Sequence, residues 1–176
     1  MRANTHSFEY LVDAYGEAVY KFCRSITYSK EDADDLLQET FLKTLEQMPK
    51  VSTSDSPKSF LFSTALFIWK SWKRKYARRN RLAPVQPFSE VSDDIAIGES
   101  SVEDRFLAKE NARIVMALVD SLPEKYKIPI ILYYTMEMRV FEIAETINCP
   151  SGTVRSRLHK ARNIIKKGLV KLGYDE

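Results

Sequence analysis

Histidine and cysteine are nearly missing from this chain: His6, His159, Cys23 and Cys149 are the complete set in 176 residues. The two thiols lie far apart in sequence and have no metal-ligand spacing, which argues against a disulfide framework or a zinc site and fits a reducing, cytoplasmic setting. No Gly-rich phosphate loop and no His/Cys/carboxylate cluster is present, so a catalytic centre would have to be assembled from scattered carboxylates. An enzyme is therefore not expected, nor a cofactor or metal. Glycine is scarce, with five residues, and abundant Leu, Ile, Ala, Glu and Lys point away from a turn-rich all-β fold toward an all-α one. No stretch approaches about 18 uncharged apolar residues, and "MRANTHSFEYLVDAYG" lacks an apolar signal core. Neither secretion nor membrane insertion is expected.

What the chain does have is charge sorted into blocks, which a net charge of +3 conceals. Glu31, Asp32, Asp34, Asp35 and Glu39 form an acidic run without a base. Lys70, Lys73, Arg74, Lys75, Arg78, Arg79 and Arg81 form a basic run without an acid, and acid returns in "SEVSDDIAIGESSVED". A second basic run follows, Arg155, Arg157, Lys160, Arg162, Lys166, Lys167 and Lys171. One such run is ordinarily a solvated helix face. Two, each after a strongly apolar stretch, predict a polyanionic partner.

Apolar residues at Phe8, Leu11, Val12, Tyr15, Val19, Phe22, Cys23 and Ile26 recur with helical spacing and predict a first amphipathic helix with Cys23 on its buried stripe. Ser29 is placed to cap a second helix, whose inward face is read as Ala33, Leu37, Phe41, Leu45 and Met48. Asp35, Gln38, Glu39 and Leu42 line a neighbouring stripe that its core does not need. "PKVSTSDSP" reads as a loop, and "KSFLFSTALFIWKSWKRKYARRNR" as a third helix, apolar first and basic afterwards. Residues 82 to 101, with two prolines, several serines and net negative charge, read as a flexible linker. The division is thus two small helical domains, 1–81 and 102–176. In the second, Ser121 and Glu124 have capping-box spacing, Pro123 falls in the first turn, and Pro129 predicts a local bend.

"EIAETINCPSGTVRSRLHKARNIIKKGL" has the parts of a helix-turn-helix. Phe141, Ile143, Ala144 and Ile147 are read as the apolar face of its first helix, Asn148 as the left-handed turn residue, and Cys149 as a small residue of the break. Ser151 is expected to cap the second helix, with Val154, Leu158, Ala161 and Ile165 inward. Thr153, Arg155, Ser156, Arg157, His159, Lys160 and Arg162 then remain outside or on the flanks, the Arg and hydroxyl mixture a base- and phosphate-reading helix needs. For His159 an ordinary surface role stands beside a DNA contact.

"SLPEKYKIPIILYYTMEMRVFEIAETINCPSGTVRSRLHKARNIIKKGL" resembles the C-terminal region 4 of bacterial sigma factors of the extracytoplasmic function (ECF) type, and "DADDLLQETFLKTL" resembles their region 2. The resemblance implies a protein that binds core RNA polymerase, through the β′ clamp helices and the β flap, and directs promoter-specific transcription initiation. It implies that Asp35, Gln38, Glu39 and Leu42 dock on polymerase. The third helix would melt and hold the minus-10 element through Lys70, Lys73, Arg74, Arg78 and Arg79, with Trp69 and Trp72 either stacking on bases or packing in the core. Ser151, Thr153, Arg155, Ser156, Arg157, His159, Lys160 and Arg162 would read the minus-35 element. An anti-sigma factor is the further partner implied. Where the family commonly has Asn and, four residues on, Asp, this chain has Phe67 and Ser71, so the family's minus-10 preference does not transfer; Phe67 is free to pack, to stack or to meet a regulator. A stand-alone helix-turn-helix repressor or activator is the competing reading, and it leaves the acidic second helix idle.

Overall fold

The computed structural model describes residues 7–51, 56–80 and 102–174, with backbone alone at 79, 80 and 102–109. The linker read at 82–101 and the side chain of Arg79 lie outside the described residues.

Among the described residues, eight α-helices and one π-helical turn follow in order. In α1 (Phe8–Ile26) the Ser7 hydroxyl accepts from the Tyr10 N–H at 3.2 Å, satisfying a donor that the first turn would otherwise leave open. Leu11, Val19, Phe22, Cys23 and Ile26 are its buried face, while Val12, expected there, is exposed. Ser29 caps α2 (Lys30–Glu46) as predicted, accepting from the Asp32 N–H at 3.0 Å.

The inward stripe of α2 is rotated from the expected one. Ala33, Leu36, Thr40 and Thr44 are buried, Leu37 and Phe41 are half-buried on the flank, and Leu45 is exposed. Thr40 and Thr44 can enter the core because their hydroxyls donate back to the carbonyls of Leu36 and Thr40, at 2.6 and 2.8 Å, leaving no buried donor unpaired. A short α3 (Met48–Val51) takes up the start of the stretch read as a loop and buries Val51.

The third helix of the sequence reading is α4 (Pro57–Asn80), unbroken from its apolar into its basic half. Leu61, Phe62, Ala65, Leu66, Ile68 and Trp69 are buried. Phe22 of α1 meets Phe62 edge to face, centroids 5.0 Å apart at 84°, an arrangement worth about 0.5–1.5 kcal/mol beyond the area it buries.

After α5 (Val102–Asp120), the expected capping box at Ser121 does not form. The Ser121 hydroxyl turns back to the Leu118 carbonyl, and Pro123 itself occupies the cap position of α6 (Glu124–Ile130) without a side-chain bond. The helical run passes through Pro129 and widens two residues later into a π turn, Ile131–Thr135. The irregularity predicted at the proline therefore lies just beyond it. Two further helices, α7 (Val140–Thr146) and α8 (Ser151–Lys171), complete the fold.

The two halves share one core. Val19, Phe22, Leu61 and Phe62 from the first belong to the same buried cluster as Leu132, Ile143, Val154 and Leu158 from the second. Contact runs mainly between α4 and α7 and between α1 and the π turn. Polar bonds mark the seam: Lys58 Nζ donates to the Met136 carbonyl at 2.8 Å, the Ser59 hydroxyl to the Glu142 carbonyl at 3.4 Å, and Lys73 pairs with Glu124. Among the described residues, no helix is long and apolar enough to cross a membrane.

Candidate nucleic-acid interface

The turn between α7 and α8 is closed as its sequence predicts. Asn148 adopts φ 50°, which Asn tolerates better than most residues. The Cys149 N–H bonds the Ala144 carbonyl at 3.0 Å and the Asn148 N–H bonds Glu145 at 3.2 Å. These are the paired bonds of a Schellman closure, and they satisfy carbonyls at the end of α7. At its start the Arg139 N–H donates to Glu142 Oε2 at 2.7 Å. Ile143 is buried as expected, but Phe141 turns out to solvent beside the Arg139 guanidinium, 5.4 Å away. Pro150, not Ser151, occupies the cap of α8, and Ser151 is its first helical residue.

Val154, Leu158 and Ala161 are buried and Ile165 half-buried, so α8 packs by the predicted stripe. Arg155, Ser156, His159 and Lys160 are exposed; Ser151, Thr153 and Arg157 are half-buried. His159 Nε2 lies 3.1 Å from the Asn163 amide one turn on. Arg162 is exposed yet held: its Nε donates to the Tyr134 hydroxyl at 2.8 Å, and its guanidinium sits 5.6 and 5.7 Å from the Tyr133 and Tyr134 ring centres. The two rings meet edge to face at 5.0 Å. Sequence reasoning missed Tyr133 and Tyr134, because nothing in adjacent tyrosines signals a contact 28 residues away.

A second surface lies on α2. Asp35, Gln38, Glu39 and Leu42 are all exposed, with Leu42 at 62%. Leu42 is thus an apolar side chain set in a row of acids and an amide. Glu39 Oε2 accepts from the Trp72 indole N–H at 2.9 Å, so this row is tied to α4.

The third surface is the basic half of α4. Lys70, Arg74 and Arg78 are exposed and, among the described residues, in no ion pair. Lys73 differs, sitting 4.7 Å over the Trp69 ring and pairing with Glu124 across the seam. Burial, and then repulsion from Lys127, pulls its ammonium pKa below the ordinary lysine value, and the Glu124 pair works against that shift. Trp69 is 7% exposed and belongs to the core, and Trp72 is half-buried with its N–H engaged. In this arrangement both indoles pack.

Comparison with known proteins finds two family models in order along the chain. Sigma-70 region 2 matches residues 11–79 and sigma-70 region 4 matches residues 112–165. The ECF RNA polymerase sigma factor SigW of Bacillus subtilis is 27% identical over 96% of this chain and 91% of its own length. The ECF sigma-E factor of Haemophilus influenzae is 28% identical over 78% of this chain and 75% of its own. Among solved structures, the sigma factor RpoE of Bartonella quintana, in complex with the anti-sigma factor NepR, superimposes with a TM-score of 0.77 at 21% identity, covering 92% of this chain and 96% of that one. CnrH, in complex with the cytosolic domain of CnrY, follows at 0.65 and 18%, covering 96% and 89%. At those identities the structures establish a shared fold.

Proposed function

The chain belongs to the ECF group of the sigma-70 factors, and from that membership we propose how its three surfaces divide the work. It binds core RNA polymerase and directs promoter-specific initiation; sigma factors are non-enzymatic regulators of transcription, and the chemistry belongs to the polymerase. Asp35, Gln38, Glu39 and Leu42 dock on polymerase, where the exposed Leu42 finds apolar cover and the carboxylates find cations. Lys70, Arg74, Arg78 and Arg79 hold the phosphates of the melted minus-10 strand, with Lys73 joining when its pair with Glu124 opens. Ser151, Thr153, Arg155, Ser156, Arg157, His159, Lys160 and Arg162 face the minus-35 duplex, with hydroxyls and Lys on phosphates and Arg on phosphate or guanine. Residues 1–81 form the polymerase and minus-10 unit, 82–101 the linker and 102–176 the minus-35 unit. An anti-sigma factor is the third partner, beside polymerase and promoter, and the cytoplasm is where polymerase and DNA are met.

One observation carries this reading: both region models match one chain, in order. A lone helix-turn-helix protein has no use for the first of them. The test is to add the protein to sigma-free core polymerase on a promoter-bearing template. A holoenzyme that initiates at discrete sites is expected. DNA binding without holoenzyme would leave the stand-alone regulator as the reading.

A further inference from the structure

Phe67 stands out from α4 into solvent. Its chain neighbours Leu66, Ile68 and Trp69 are buried, whereas Phe67 is 63% exposed. At 3.6 residues per turn, positions three and four apart share a face, so Ser63, Phe67, Lys70, Ser71, Arg74 and Arg78 fall on one stripe of the helix. The stripe is aromatic at its start and cationic at its end, with Phe67 and Arg74 about 10 Å apart along the axis at 1.5 Å per residue. Cations that track a backbone beside an aromatic face are how single-stranded nucleic acid is held, the ring stacking on a base and the charges taking the phosphates. The two indoles of α4 are committed elsewhere, Trp69 to the core and Trp72 to Glu39.

We propose that Phe67 is the stacking platform for an unpaired base of the minus-10 strand, and that this base is read by its flat face and not by its hydrogen-bonding edge. The proposal rests on the sigma-factor reading above. A phenyl ring has neither donor nor acceptor. The hydroxyls of Ser63 and Ser71 lie four residues to either side, and that of Ser63 already donates to the Phe60 carbonyl at 2.9 Å. Stacking tolerates every base because every base has a π face, so preference at this one promoter position is broad and follows stacking strength.

The test uses full-length Phe67→Ala, Phe67→Leu and Phe67→Tyr, each assembled with sigma-free core polymerase on a promoter from which the wild-type holoenzyme initiates. Opening of the duplex is followed by 2-aminopurine fluorescence within the minus-10 element, beside initiation from the same promoter supplied already melted. All three variants are expected to bind core like wild type. Phe67→Ala and Phe67→Leu should open the duplex on the order of tenfold less well and recover on the melted template, and Phe67→Tyr should open it like wild type. Leucine keeps the apolar bulk and loses the π face, so wild-type opening by Phe67→Leu overturns the proposal. Loss of core binding by Phe67→Ala also overturns it, by assigning the side chain to folding or polymerase docking, and so does a defect that persists on melted DNA. Failure of the wild-type protein itself to form holoenzyme is a separate result, which removes the sigma-factor reading beneath the proposal.

Discussion

Cys23 is 0% exposed on the inner face of α1, and burial pushes its thiol pKa up to about 12. Desolvation disfavours the thiolate, so the folded protein keeps a proton there that the unfolded chain gives up near pH 9. Stability from this group is fully present below the unfolded value and is lost as pH rises through the folded one. The slope approaches about 1.4 kcal/mol per pH unit within that window. Denaturant unfolding of wild type and Cys23→Ala between pH 8 and 11 should therefore give curves that converge as pH rises, the variant lacking this loss. A constant gap between the two would show that the thiol does not titrate on unfolding. At neutral pH the same burial makes Cys23 inert to alkylating reagents until the chain unfolds, since the thiolate is the nucleophile.

At the scale of the helix, α8 divides its basic side chains between free and held. Arg155 is free in solvent, while Arg162 is oriented by the Tyr134 hydroxyl and both tyrosine rings. Replacing Arg155 or Arg157 by Ala should weaken minus-35 binding by about 1–3 kcal/mol where the contact is to a base, and uniformly across sequences where it is to phosphate. Tyr134→Phe removes only the hydroxyl, yet should weaken the same complex through Arg162. In a double-mutant cycle with Arg162→Ala the two losses should fail to add. Full additivity in fluorescence anisotropy titrations would separate Tyr134 from DNA binding. The sequence made α8 legible because its buried stripe is purely apolar and period 3.6 is unambiguous there. It misled on α2, where Thr40 and Thr44 are core residues that look polar until their hydroxyls are seen bonded within the helix. It misled likewise at Phe141, since an apolar residue at an inward position says nothing of whether a neighbour fills the space beyond. Asn148 announced its left-handed turn, whereas Glu137 adopts φ 51° with a residue type that gives no such signal. The acidic face of α2 was visible as a stripe the core did not need, but the bond from Trp72 to Glu39 joins residues 33 apart and no local pattern encodes it.

For the whole molecule, the decisive comparison is one of lengths. A compact chain of 176 residues has a radius of gyration of about 16 Å, hence a diameter near 40 Å. Promoter elements centred about 25 base pairs apart are separated by about 85 Å at 3.4 Å per pair. The packed arrangement, with α4 against α7 and one core running through both halves, cannot lie on both elements at once. The 20 residues from 82 to 101 reach at most about 70 Å when extended, which suffices to join the halves once each has an element of its own. Parting breaks the Lys73–Glu124 pair, the bond from Lys58 to the Met136 carbonyl and the apolar contacts between the halves. The ion pair is a minor part of that cost: both side chains are more than 40% exposed, and such pairs contribute about 0–1 kcal/mol. Most of the cost is apolar, and polymerase and promoter contacts must offset it, so free protein should stay closed and opening should require holoenzyme on DNA. Dyes placed at the exposed positions Tyr28 and Lys167, one in each half, should show high energy transfer in free protein and a fall on forming the promoter complex. Glu124→Gln should shift that transition only slightly. Transfer that stays high in an initiating complex would mean that the two halves do not engage both elements together.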